Sequence, residues 1–354
     1  MADSFYQIPT TPKLYVSYPL FQYANGALDD VDVYESGSNA LPDENYISMI
    51  QLDPSKQHTY DIADYYAFKQ KIVPTFDNDT DVISSGLWNF DFAMFLGHNF
   101  NSANVSIDIH ALQQDEAPSE GNSILGENIV NNNTGEPPEF DGWSLVGLDS
   151  NVLSVSRFIH FGLSLSMANA NIKLNSLLFG KTFTFPQNAD LSATTKFDYG
   201  VKQKTTSTGK TISTVNWGKT DNWITEPFGL GDQIGDNFQR RSGRRIWNIS
   251  FDSLAPDKVM PQNMMMNSNG FSAQDNHSVA ADGTSSLYNI NNSEDFFSSV
   301  LHKSLGGHNP MVLQINKDDY SPSNFAIVRL QSDYVVTQKT PNLYNIKCTF
   351  VEQI

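Results

Sequence analysis

Cysteine is nearly absent: Cys348 is the single one in the chain, so no intrachain disulfide framework exists, and synthesis in a reducing compartment is compatible with that. Charge is scarce too, at 17% of residues, where about a quarter is usual. Basic residues are the scarcer kind, 22 against 39 acidic ones, for a net charge of −17. Phosphate backbones are bound through basic footprints, so this balance argues against nucleic acid as a main partner. No apolar run approaches the ~18 residues that a helix needs to cross a bilayer, so no membrane span is expected. The opening Met1-Ala2-Asp3-Ser4 has neither a basic region nor an apolar core, which predicts no Sec-type signal and synthesis in a cytoplasm. Catalytic signatures are missing as well. There is no Gly-x-Ser-x-Gly, no His-Glu-x-x-His and no paired-cysteine metal pattern. Gly229-Leu230-Gly231 lacks the Lys-Ser/Thr and the strand-to-helix context of a phosphate loop. No internal repeat of fixed period is visible. The reading is of a non-enzymatic protein with no cofactor and no metal centre.

What is present is aromatic. The chain holds 23 Phe, 14 Tyr and 5 Trp in 354 residues, with 39% apolar content overall. Aromatic cores favour strands over helices. Asn, Ser, Thr and Gly fill the space left by charge, and these are turn and loop residues. The expectation is an all-β protein with long polar connections: a jelly-roll sandwich plus a second β-sandwich or barrel unit carrying one helix.

The segment Arg240 to Phe251 organises this reading. Arg240, Arg241, Arg244 and Arg245 surround Ser242-Gly243 and lead into a strand in which Trp247, Ile249 and Phe251 alternate with Asn248 and Ser250. A period of two sends the apolar three to one face. Residues 1–60 read as an N-terminal arm and first strand, Leu14 to Tyr18, closed by Pro19. Residues 61–185 read as one unit. In it Phe92, Met94 and Leu96 share a face, Val105, Ile107 and Ile109 alternate with polar residues, and strands return at Phe158 to Leu165, Ile172 to Leu174 and Leu177 to Phe179. Between them Gln113 to Asp141 has almost no apolar period and reads as a long excursion loop. Residues 186–354 read as a second β domain. Lys202 to Thr214, with Gly209 in the middle, is an exposed hairpin or arm. Ser293 to Leu305 is the helix, capped by Ser293 and ended by Gly306-Gly307. Strands follow at Met311 to Ile315, Phe325 to Leu330, Tyr334 to Thr337 and Tyr344 to Phe350.

Four groups of residues invite a chemical reading, each with a plainer one beside it. The four arginines suit bidentate carboxylate pairing at an interface between subunits or within the chain, rather than phosphate, because the rest of the chain is acidic. Asp77-Asn78-Asp79-Thr80-Asp81 spaces oxygen ligands as calcium loops do, but Val82 and Trp88 stand where the glycine and glutamate belong, so a solvated turn is the plainer reading. His98, in Leu96-Gly97-His98-Asn99, has no catalytic or metal-binding partner in a motif and reads as a turn-orienting histidine. Trp143 and Trp88 offer a face for a sugar, against core or rim packing.

Several segments carry a family likeness. Leu177-Leu178-Phe179-Gly180-Lys181 with Phe185-Pro186-Gln187, Asp198-Tyr199-Gly200-Val201-Lys202-Gln203, and Gly243 to Phe251 resemble virion structural proteins of tailed bacteriophages. Gly306-Gly307-His308-Asn309-Pro310, Phe325 to Leu330 and Asn342 to Ile346 fit the same group. The likeness spans roughly residues 80 to 354 and implies a distal tail or baseplate component: a homo-oligomer, ring-forming, located in the virion tail, made in the host cytoplasm and partnered by tube, hub or fibre proteins. Within it, Phe95 to Phe100, Arg157 to Phe161 and Asn171 to Leu174 with Leu178-Phe179-Gly180 are similar to galactose-binding-like jelly rolls. That likeness implies ligand contact by loops at one end of the sandwich, here around Gln113 to Trp143. Other readings are a carbohydrate-binding module for host attachment, a glycan-degrading enzyme with carboxylates in one cleft, and a capsid or tail decoration protein.

Overall fold

A computed structural model describes residues 10–24, 32–35, 39–40, 50, 52, 58–62, 65–71, 91–112, 122–123, 125–131, 136–148, 158–165, 170–215, 244–261, 294–321 and 324–353. The architecture is all-β, with antiparallel sheets, few short helices and a sandwich arrangement.

In chain order the strands of the first part are β1 (Lys13–Ser17), β2 (Asp32–Glu35), β3 (Asn39–Ala40), β4 (His58–Ile62), β5 (Tyr65–Lys71), β6 (Phe92–His98) and β7 (Val105–Leu112). Then come β8 (Asn122–Ser123), β9 (Leu125–Val130), β10 (Gly142–Leu148), β11 (Phe158–Leu165), β12 (Ala170–Leu174) and β13 (Ser176–Thr184). The remainder supplies β14 (Thr194–Asp198), β15 (Val201–Thr205), β16 (Thr211–Val215), β17 (Arg244–Leu254), β18 (Met311–Gln314), β19 (Phe325–Thr340) and β20 (Leu343–Glu352). Ten of them form one sheet in the order β14-β17-β20-β19-β18-β1-β13-β6-β10-β9. Six form a second, β3-β2-β5-β11-β7-β8, and β12-β4 and β15-β16 are separate pairs.

β1 sits inside the large sheet. It pairs with β13 along one edge (Leu14 with Phe183, Val16 with Lys181) and with β18 along the other (Leu14 with Leu313). Strands from residues 1–60, 61–185 and 186–354 thus lie side by side in one sheet, and hydrogen-bonded pairs cross both expected boundaries. The alternation along β1 serves two cores. Leu14 and Val16 join a cluster with Trp247, Ile249, Phe251, Phe296 and Val300. Tyr15 joins the opposite cluster, with Phe92, Met94, Leu96 and Trp143. β18 and β19 divide in the same way: Leu313 and Val328 go to the first core, Val312 and Ile327 to the second. A strand covered on both faces needs apolar residues at consecutive positions, and all seven residues of β6 are buried.

Local details depart from the sequence expectation in four places. Pro19 does not simply close the first strand; it lies in the first turn of a helix, α1 (Tyr18–Ala24), where its missing N–H costs nothing. The stretch expected to be a loop from Gln113 to Asp141 contains β8 and β9, because the ladders of β7 and β10 supply an order that the polar sequence does not advertise. β19 runs unbroken from Phe325 to Thr340, with the expected gap taken up as a register shift between Gln331 and Val335. The expected helix is a short π-helix, Phe297–His302, started by Asp295, whose carboxylate accepts from the Ser298 N–H (2.9 Å) and hydroxyl (2.8 Å). Ser293 lies outside the described residues. Phe296, Val300 and Leu301 are buried, while Leu305 is exposed. A second short helix, α2 (Pro256–Val259), follows β17.

Candidate functional site

The arginine-led strand comes first. Arg245 is buried, and its side chain forks onto Glu352 with Nη2 2.6 Å from Oε1 and Nε 3.0 Å from Oε2. Nη2 also donates to the Phe325 carbonyl (3.2 Å), and the guanidinium lies 4.9 Å from the Trp247 ring centre. The ion pair is therefore within the chain: it clamps the start of β17 to the end of β20 and leaves little of Arg245 for a neighbour. Arg244, the next residue back, is exposed and sits opposite Asp198 of β14 in register. Arg240 and Arg241 lie outside the described residues, as do Asp77 to Asp81 and Trp88.

Trp143 is fully buried, 5.2 Å from Phe325 in the second core. A ring enclosed on both faces packs the core and presents nothing to a sugar.

His98 belongs to a closed polar network at the end of β6. The Phe100 N–H donates to Nδ1 (3.3 Å), so the ring proton is on Nε2, which faces Ser144 Oγ at 2.9 Å. Ser144 in turn donates to the Asn131 carbonyl (2.7 Å). A nucleophilic serine donates to its histidine; here the polarity is reversed and Ser144 is buried. Burial pushes the imidazole down to about 3, so it stays neutral. The Asn131 side chain, on a residue with φ of 51°, completes the network by donating to the Trp143 carbonyl (2.6 Å) and accepting from the Phe140 N–H (3.0 Å). The group ties the turn after β6 to β10. Cys348 is equally enclosed, its thiol pushed up to about 12 by burial, which disfavours the reactive thiolate.

A cleft of about 290 Å³ opens beside α2, lined by Pro256, Asp257, Val259, Met260, Pro261 and Tyr344. Its described lining brings one carboxylate, whereas paired-acid sugar hydrolysis uses two. Among the described residues no group of three or more His, Cys, Asp or Glu is placed to hold a metal ion, and no helix is long and apolar enough to cross a membrane.

The surface that stands out lies at one edge of the large sheet. Among the described strands β14 pairs with β17 alone, and all five of its residues are exposed. Beyond it Gly200 turns the chain with φ of 62°, its N–H held by the Asp198 carboxylate (2.9 Å). The β15–β16 hairpin follows and pairs with no other described strand. Its tip is closed by Thr206 N–H to the Lys210 carbonyl (2.9 Å), with Gly209 at φ of 81°. Phe197, Val201 and Ile212 are each about half exposed (52%, 50% and 52%), and Tyr199 is 41% exposed. An isolated hairpin is marginal in water, and open edges with apolar side chains are templates for pairing with another chain. The hairpin was legible in the sequence; the exposure of Phe197 and Tyr199 was not, since a strand end and a strand centre look alike locally.

No family model, no curated protein and no solved structure matches this chain. The residues and their geometry carry the functional argument.

Proposed function

We propose that this chain is a non-enzymatic structural protein of a bacteriophage tail tip or baseplate, assembling with copies of itself into a ring that joins the tail tube to host-recognition parts. The observation that carries the reading is where the tail-protein-like segments fall. Although scattered from residue 177 to 346, they occupy or flank β13, β14, β17, β18, β19 and β20, with Val201-Lys202-Gln203 falling in β15 of the separate hairpin. With β1, the six strands other than β15 form one contiguous part of the ten-stranded sheet, ending at β14, its outermost described strand. A likeness that falls mostly on neighbouring strands of one sheet supports a shared architecture better than the same number of dispersed matches would. The exposed edge and hairpin, on an acidic chain, are what a self-assembling part needs.

The test is light scattering of the purified protein across concentration, followed by negative-stain imaging and by peptide mass spectrometry of tails from particles that carry the gene. Closed rings of uniform copy number and peptides in the tail fraction are expected. A monomer at every concentration, or absence from tails, overturns the reading.

A further inference from the structure

Among the described residues the two ends of the large sheet differ in charge. At the β14 end, Tyr199 to Val215 holds Lys202, Lys204 and Lys210 and no acidic residue, in a chain of net charge −17. All three lysines are exposed. At the other end β9 is the outermost described strand, and the stretch joining it to β10 carries exposed Glu136 and Glu139.

We infer that the β15–β16 hairpin of one copy docks on the β9–β10 end of the next, lysines against Glu136 and Glu139. The inference rests on the self-assembly reading above and names the surfaces that would perform it. Hairpin-to-hairpin pairing would oppose Lys202, Lys204 and Lys210 to their own copies, and like charges brought together oppose association. The hairpin therefore meets a different surface, and a contact between unlike surfaces is heterologous. Heterologous contacts close into rings when the rotation allows. The opposite edge of the same sheet is the acceptor that the geometry favours. It lies at the far end of the same hydrogen-bonded sheet, so each copy presents a donor at one end and an acceptor at the other. Val201 and Ile212 add apolar area to a contact that charge orients.

Charge exchange tests this on the full chain. Lys202→Glu with Lys204→Glu and Lys210→Glu is expected to raise the concentration for half-assembly by about tenfold or more, with an unchanged circular dichroism spectrum because the sites are exposed. Glu136→Lys with Glu139→Lys should weaken assembly similarly, and mixing the two variants should restore it. Raising salt should weaken wild-type assembly, since exposed pairs are screened. Replacing residues 201–215 by a Gly-Ser linker should leave a folded monomer. Assembly of the lysine variant at the wild-type concentration overturns this interface while leaving the ring reading intact. Failure of the lysine variant with normal assembly of the glutamate variant overturns the acceptor at β9–β10. A wild-type protein that never assembles overturns both the ring and the interface.

Discussion

Arg245 and Glu352, 107 residues apart in sequence, share a forked ion pair at 2.6–3.1 Å that joins the first residues of β17 to the last residues of β20. Both side chains are largely out of water, at 10% and 17% exposure. Removing one partner leaves the other charge poorly solvated. Arg245→Ala is expected to cost about 3–5 kcal/mol. Arg245→Lys keeps the charge but not the fork or the contact with Trp247, and should cost about half as much. Urea unfolding of the two variants beside the wild type checks both figures; equal stability of all three would show the pair to be dispensable.

Gly180 of β13 packs against the backbone of β1. A Cβ placed there would sit 2.0 Å from the Val16 carbonyl oxygen, a backbone atom that cannot swing away. Gly180→Ala is expected to destabilise by about 3 kcal/mol or more, at the upper end of overpacking costs. Gly209 provides the comparison: its φ is +81°, but nothing lies within 4 Å. Gly209→Ala should cost only about 1 kcal/mol, from backbone strain alone. Thermal melts of the two variants should separate them clearly.

His98 gives the fold an acid-sensitive element. Its folded pKa, about 3, lies below the ordinary value of 6.5 because burial disfavours the imidazolium. Between those values the unfolded chain holds a proton that the folded one refuses. The stability is therefore fully present above about 6.5 and is lost as pH falls toward 3. His98→Gln should remove that share of the slope, on the order of a few kcal/mol across the window. Unfolding midpoints measured from pH 7 to pH 4 for both proteins provide the check, and parallel slopes would exclude His98 as the source.

Lys303 acts at the alkaline end. Its ammonium lies 4.7 Å from the Phe21 ring centre and 5.2 Å from that of Tyr18, and burial pushes its pKa down to about 7 from 10.5. Between these values the unfolded chain binds the extra proton, so stability rises with pH from 7 toward 10 and the cost of the buried charge is in full force below 7. Lys303→Met keeps the aliphatic stem and removes the charge. It is expected to stabilise the protein at pH 6.5 by about 1–3 kcal/mol and to flatten the rise toward pH 10. A less stable variant at pH 6.5 would mean that the ammonium's own contacts outweigh its desolvation.

The sequence by itself determined which residues alternate and therefore which face of a strand is apolar. Trp247, Ile249 and Phe251 are buried, as are Val105, Ile107 and Ile109, because side-chain direction in a strand follows from local geometry alone. The all-β class was legible in the aromatic and turn-rich composition, and the hairpin in the polar stretch centred on Gly209. Only the tertiary structure decided which strands are neighbours. It placed β1 between β13 and β18, found β9 inside a polar stretch, enclosed Trp143 on both faces and gave Arg245 a partner at the far end of the chain. Each of these depends on pairing between segments up to some 300 residues apart, such as Tyr15 with Gln314. Such pairing is selected by the sum of hydrogen bonds and apolar area over the whole sheet, and no window of neighbouring residues contains that sum.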